Sequence, residues 1–249
     1  MPRTAQTKQK RKNKCKGKLV VFEGIDGSGK TTQAALLKSY LDQIGIDSLI
    51  VADFKEDKIG KKIRSIITHD HTIYSLAEIF LIAAARSQLI KDVIKPELAA
   101  GKIVICDRFV DSTYAYQANA LSTTTIDSIM QLCMQDLVPD CTIYLDLPVP
   151  LALQRIKQRV SDLPTDKFER RDDEFFAQVQ RVYRARMQHN ANSITIDASI
   201  NPLAIKANIC EQVAQKLQLH NVFLNPPCDR PKYQPFYEEQ GRIIKIESA

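Results

Sequence analysis

Five short apolar runs recur along the chain, and each leads into a stretch whose apolar residues return at helical spacing. Residues 19–22, 47–52, 103–106, 141–147 and 193–197 read as strands. Their near-continuous Val, Ile and Leu content is that of strands buried on both faces. Between and after them, the spacing predicts helices over 33–43, 75–100, 126–137, 150–160, 172–190 and 202–217. Ile63, Ile66 and Ile67 mark a shorter helix after a charged loop at 53–62, and Pro96 is expected to kink the long helix near its end. Strand–helix alternation of this kind predicts an α/β fold: a doubly wound, five-stranded parallel sheet with helices on both faces. In such a fold ligands bind at the carboxyl ends of the strands. The polar stretch 161–167, containing Pro164, reads as a loop between two helices. Residues 219–249 break the pattern with Pro226, Pro227, Pro231 and Pro235 before an apolar run at 243–246, and read as an irregular C-terminal extension.

Charge divides the chain unevenly. The net charge is +6, yet residues 1–18 carry eight basic side chains and no acid, which leaves 27 basic against 29 acidic residues in the remainder. The body is therefore not a general nucleic-acid binder. Only the leader, residues 1–17, has the charge for such a role, and basic blocks of this kind are expected to be disordered. Residues 18–218 then form one domain, large enough for a sizeable core. No apolar stretch reaches the ~20 residues that a membrane span needs, and no secretory apolar segment opens the chain. The six cysteines are scattered without a C-x-x-C pair or zinc-ligand spacing. These features point to a cytoplasmic protein that meets no membrane. His69-Asp70-His71 reads as surface residues rather than as a metal site.

The first strand passes into Gly24-Ile-Asp26-Gly27-Ser28-Gly29-Lys30-Thr31-Thr32, which fits the phosphate-binding pattern G-x-x-x-x-G-K-[ST] between a strand and a helix. Glycines let the backbone approach closely, so that successive N–H groups point at phosphate oxygens, and the helix N-terminus adds its dipole. Lys30 is expected to neutralise the β- and γ-phosphates of a nucleoside triphosphate, and Thr31 to place its hydroxyl on Mg²⁺. A second constellation ends another strand: Asp107 and Arg108 stand side by side, the acid near the metal and the acceptor oxygen, the planar guanidinium facing phosphoryl oxygens.

Taken together these segments resemble thymidylate kinases. That family combines F-E-G-x-D-G-x-G-K-[ST]-T-Q, present as residues 22–33, with D-R-Y-x-x-S-x-x-A-Y-Q, present as residues 107–117. The family's P-D-x-T-I-x-L-D segment appears at 139–146, its lid segment resembles 166–169 followed by Phe175 and Phe176, and 196–198 matches its last strand. The resemblance spans about residues 18–217 and implies transfer of the γ-phosphoryl of ATP to a nucleoside monophosphate, dTMP. It implies that Lys30, Asp107 and Arg108 are catalytic, with the loop from Gly24 to Thr32 on the donor. Asp26 approaches the sugar 3′-hydroxyl and Arg108 the acceptor phosphate. Arg86 meets the thymine edge, while Ser112, Thr113, Tyr116 and Gln117 line the sugar and base pocket. Tyr116 also disfavours a 2′-hydroxyl. Thr31 and Asp107 serve Mg²⁺. Arg155, Arg159, Arg170 and Arg171 flank the lid and are expected to close over the phosphates. Relatives usually form homodimers through long helices.

Three positions depart from the family pattern. Ile82 stands where an aromatic residue usually stacks on thymine, and Phe80, two positions earlier, points about 200° away on a helix. An R-E-P-G-G loop is not recognisable in residues 53–58, where Lys55 substitutes as a point charge. Lys167 occupies a lid position where arginine is usual. These departures leave another pyrimidine monophosphate (dUMP, UMP or dCMP) as the alternative acceptor, and a nucleotide-binding regulatory protein as the alternative from a different class.

Overall fold

The computed structural model describes residues 16–56, 58–69, 73–117, 121–159, 172–219, 236–239 and 242–245. The five expected strands form one parallel sheet: β1 (Lys18–Glu23), β2 (Ser48–Ala52), β3 (Ile103–Asp107), β4 (Cys141–Asp146) and β5 (Ser193–Asp197), in the order β2-β3-β1-β4-β5. β1 is central, paired with β3 from Lys18↔Ile103 to Phe22↔Asp107 and with β4 from Val20↔Cys141 to Glu23↔Tyr144.

Alternation along each strand sends successive side chains to opposite faces. On one face Val20, Phe22, Ile103, Ile105 and Ile143 pack with helices α1 (Lys30–Gln43), α8 (Asp173–Gln188) and α9 (Pro202–Lys216). On the other, Leu19, Val21, Val104 and Cys106 pack against Leu89, Ile90, Ile94 and Cys133. The remaining helices are α2 (Lys58–His69), α3 (Ser75–Leu89), α4 (Lys95–Ala99), α5 (Val110–Gln117), α6 (Thr123–Met134) and α7 (Val149–Arg159).

The long helix expected over 75–100 is built in three parts. A π-helical turn, Ile90–Ile94, joins α3 to α4, whose first turn holds Pro96. Proline lacks an N–H and its ring crowds the carbonyl four residues earlier. The wider π turn absorbs that crowding, so the chain stays helical through the proline.

Three element predictions are corrected. The charged loop after β2 is shorter than expected, because α2 already begins at Lys58. Residues 110–117 form α5, which the periodicity did not reveal because polar Asp111, Thr113 and Gln117 are buried in it alongside Tyr114 and Ala115. The C-terminal extension is not wholly irregular: β6 (Phe236–Glu239) and β7 (Arg242–Lys245) pair antiparallel, consistent with their aromatic and β-branched content. Residues 1–15 of the leader lie outside the described residues, as do the loop at 161–167, Asp70 and His71. Among the described residues no helix is long and apolar enough to cross a membrane.

Candidate active site

The phosphate loop joins β1 to α1 at the carboxyl edge of the sheet. Gly29, the residue before α1, has φ 92°, with nothing within 4 Å of where a Cβ would point. The space beside the helix N-terminus is therefore open to a ligand. Gly27 is closed for a different reason: its Cβ would sit 2.6 Å from the Ala152 carbonyl of α7. Lys30 is buried and its Nζ donates to the Ile25 carbonyl at 2.9 Å and to Ser28 Oγ at 3.5 Å. Burial and the nearby Arg108 charge pull its ammonium down to about 8, against the opposing pull of Asp26, Asp107 and Glu23.

The β1–β3 register sets Phe22 beside Asp107, so the loop and the Asp107-Arg108 pair emerge side by side. Thr31 Oγ1 donates to Asp107 Oδ2 at 2.6 Å. A hydroxyl and a carboxylate so close are hard oxygen donors of the kind Mg²⁺ takes, alongside water and substrate phosphates rather than within an all-protein cage. Among the described residues no cluster of three or more His, Cys, Asp or Glu could hold a metal ion.

Arg108 has a left-handed backbone, φ 73°, which turns its side chain back across the loop. Nη1 donates to the Gly24 carbonyl and to Ser112 Oγ, both at 3.2 Å, and to the Tyr183 hydroxyl at 3.3 Å. Nη2 pairs with Asp26 Oδ1 and donates to the Tyr116 hydroxyl at 3.3 Å. The Tyr116 hydroxyl in turn donates to Asp26 Oδ2 at 2.8 Å. Burial alone raises the Asp26 pKa, but Arg108, Lys30 and the Tyr116 hydroxyl outweigh it and hold the carboxyl at about 2.

Two more layers hold this group. Glu23, at the end of β1 and fully buried, accepts from the Phe109 N–H at 2.8 Å, from Ser112 Oγ at 2.6 Å and from the Tyr183 hydroxyl at 3.0 Å. Burial, with the charge of Asp111, pushes its pKa up against those hydrogen bonds and Arg108. Further out, buried Arg86 forks onto Asp53, with Nη2 to Oδ2 at 2.5 Å and Nε to Oδ2 at 3.1 Å. Its Nη1 donates to Thr113 Oγ1 at 2.8 Å.

One cavity of about 800 Å³ takes in both halves of the site. From the loop it includes Asp26 and Gly27 through Thr32, and from the second constellation Asp107, Arg108, Ser112, Thr113, Tyr116 and Gln117. Ile82 and Arg86 of α3 also line it, so nearly all the expected side chains meet there. Gly24 contributes its carbonyl to Arg108. Arg155 lines the cavity too, donating to the Gly27 carbonyl at 3.4 Å and the Ala198 carbonyl at 3.1 Å. The Arg159 side chain, Lys167, Arg170 and Arg171 lie outside the described residues. Sequence reasoning assigned no role to Glu23, Asp53, Phe54 or Tyr183. An acid ending an apolar strand was a usable signal for Glu23; for Tyr183 there was none, because only the packing of α8 brings it in.

The model of the thymidylate kinase family matches residues 22–209. This chain belongs to that family. It is 37% identical over 215 residues to a thymidylate kinase of Chlorobium chlorochromatii, covering 81% of this chain and 96% of that protein. Against the thymidylate kinase of Caldanaerobacter subterraneus subsp. tengcongensis it is 33% identical, covering 82% and 98%. The crystal structure of thymidylate kinase from Ehrlichia chaffeensis superposes with a TM-score of 0.65 at 26% identity, covering 79% of this chain and 98% of that one. The matched span holds every thymidylate kinase motif recognised in the sequence and leaves both tails outside it.

Proposed function

We propose that this chain transfers the γ-phosphoryl group of ATP to dTMP, giving dTDP and ADP. One observation carries the reading: Asp26, a residue of the phosphate loop, is bonded to both Arg108 and Tyr116 of the second constellation. The donor loop and the acceptor pocket are thereby two walls of one cavity, as direct transfer between two bound nucleotides requires.

The roles follow from position and charge. Lys30 and the loop N–H groups hold the donor phosphates. Arg108 is kept cationic by Asp26 and its hydroxyl partners, and meets the acceptor phosphate. Asp26 accepts from the sugar hydroxyl, and Tyr116, tied to Asp26, fills the space a 2′-hydroxyl would need. Thr31 and Asp107 would hold Mg²⁺, which neutralises phosphate charge when bound. Arg155 reaches the loop from α7 and closes over the donor side. Positioning and electrostatic stabilisation do most of the work of phosphoryl transfer, and a closed lid keeps water from the donor. Arg86, Ile82, Thr113 and Gln117 line the base end, with Arg86 bonded to Thr113. We assign this activity to residues 18–218 and expect two copies to associate; Phe80, 55% exposed on α3, supports an apolar contact there.

Incubation with ATP, Mg²⁺ and dTMP should form dTDP and ADP one for one. ATP consumption without dTDP would overturn the proposal.

A further inference from the structure

The acceptor end of the cavity lacks the aromatic side chain expected from α3, where Ile82 stands. It has one from elsewhere. Phe54, on the loop between β2 and α2, lines the cavity with Ile82 and Arg86 and packs on Ile63, Ile67, Ile82 and Ala85.

Its backbone is unusual. The Lys55 N–H donates to the Ala52 carbonyl at 3.2 Å, closing a tight turn over 52–55. Phe54 is the third residue of that turn and has φ 68°. Glycine or asparagine is the usual occupant of a positive-φ turn position, and for a bulky side chain this conformation is strained. Such strain persists where the surroundings over-determine it, and it concentrates at ligand clamps. Here the surroundings do so on both sides. The preceding residue, Asp53, is fastened to Arg86 at 2.5 and 3.1 Å, while Glu56 Oε1 accepts from the Ala52 N–H at 3.2 Å. The ring is thus a wall held in advance of binding, with an apolar floor beneath it.

We propose that Phe54 is the platform against which the acceptor's pyrimidine base stacks, so that the aromatic wall of this pocket comes from the β2–α2 turn rather than from α3. The proposal rests on the acceptor end assigned above. A planar base offers a π face to the ring, and stacking of this kind is tolerant of base identity. Phe54 therefore sets affinity for a base, while the groups at its edge choose among bases.

The chain contains no tryptophan, so Phe54→Trp introduces a single indole whose emission reports on what touches it. Titration with dTMP should quench that emission saturably, and 2-deoxyribose 5-phosphate, which has no base, should not. Phe54→Leu keeps apolar bulk against Ile63 and Ile67 but removes the ring; it should raise KM for the monophosphate on the order of 10-fold and leave KM for ATP near its original value. If dUMP or dCMP quenches and is phosphorylated in preference to dTMP, the acceptor assignment fails while the role of Phe54 stands. If Phe54→Trp still phosphorylates a monophosphate that leaves its emission unmoved, or if Phe54→Leu retains the original KM, the proposal is overturned.

Discussion

Lys30 is buried at the root of the loop and shares its surroundings with a second cation, Arg108, so its charge is held less firmly than that of an ordinary lysine. The ammonium is present below about 8 and is lost as pH rises through that value. Because kcat/KM reports groups of the free enzyme, kcat/KM for ATP should fall as pH passes about 8. A profile that stays flat well beyond that pH would contradict this reading. Lys30→Ala, which removes the charge at every pH, should lower kcat by about 10³-fold or more, since developing phosphate charge is then uncovered. At this scale much of the site was legible, because phosphate chemistry demands particular residue types at fixed spacing. Tyr183 was not, because its importance lies in what it holds. Phe54 was hidden by its context: a phenylalanine in a charged loop gives no sign that its backbone is left-handed.

Among elements, the β2–α2 turn departs furthest from the family's pattern, and the structure shows what fastens it. Asp53 and Arg86 form a buried fork that joins the turn to α3. Removing one partner of a buried pair leaves the other charge uncompensated, which costs about 3–5 kcal/mol. Asp53→Ala should therefore lower the unfolding free energy by that amount in urea; a loss under about 1 kcal/mol would mean that the pair is effectively solvated. The five strands and most helices were legible because their apolar periodicity is strong. The same periodicity failed at α5, where Asp111, Thr113 and Gln117 are buried polar residues facing Arg186, Arg86 and Glu78. It could not foresee the π turn before Pro96 either, since spacing reports which residues are apolar and not how the backbone yields to a proline.

For the whole molecule, charge and fold separate the parts cleanly. The basic leader holds the chain's positive excess, while the family match begins at Phe22 and ends at residue 209. A chain trimmed to residues 18–218 should keep the turnover of the full protein in the same assay; a large loss would give a tail a catalytic part. If two copies associate through α3, Phe80→Asp should shift the sedimentation of the protein toward the monomer without unfolding it, and unaltered sedimentation would remove Phe80 from the contact. The decisive question concerns the acceptor, because the donor loop keeps its family pattern while Ile82 and the β2–α2 turn do not. ADP release measured across dTMP, dUMP, UMP and dCMP addresses it directly. We predict the highest kcat/KM for dTMP, with UMP far below because of Tyr116. Equal or greater kcat/KM for any of the other three would contradict this prediction.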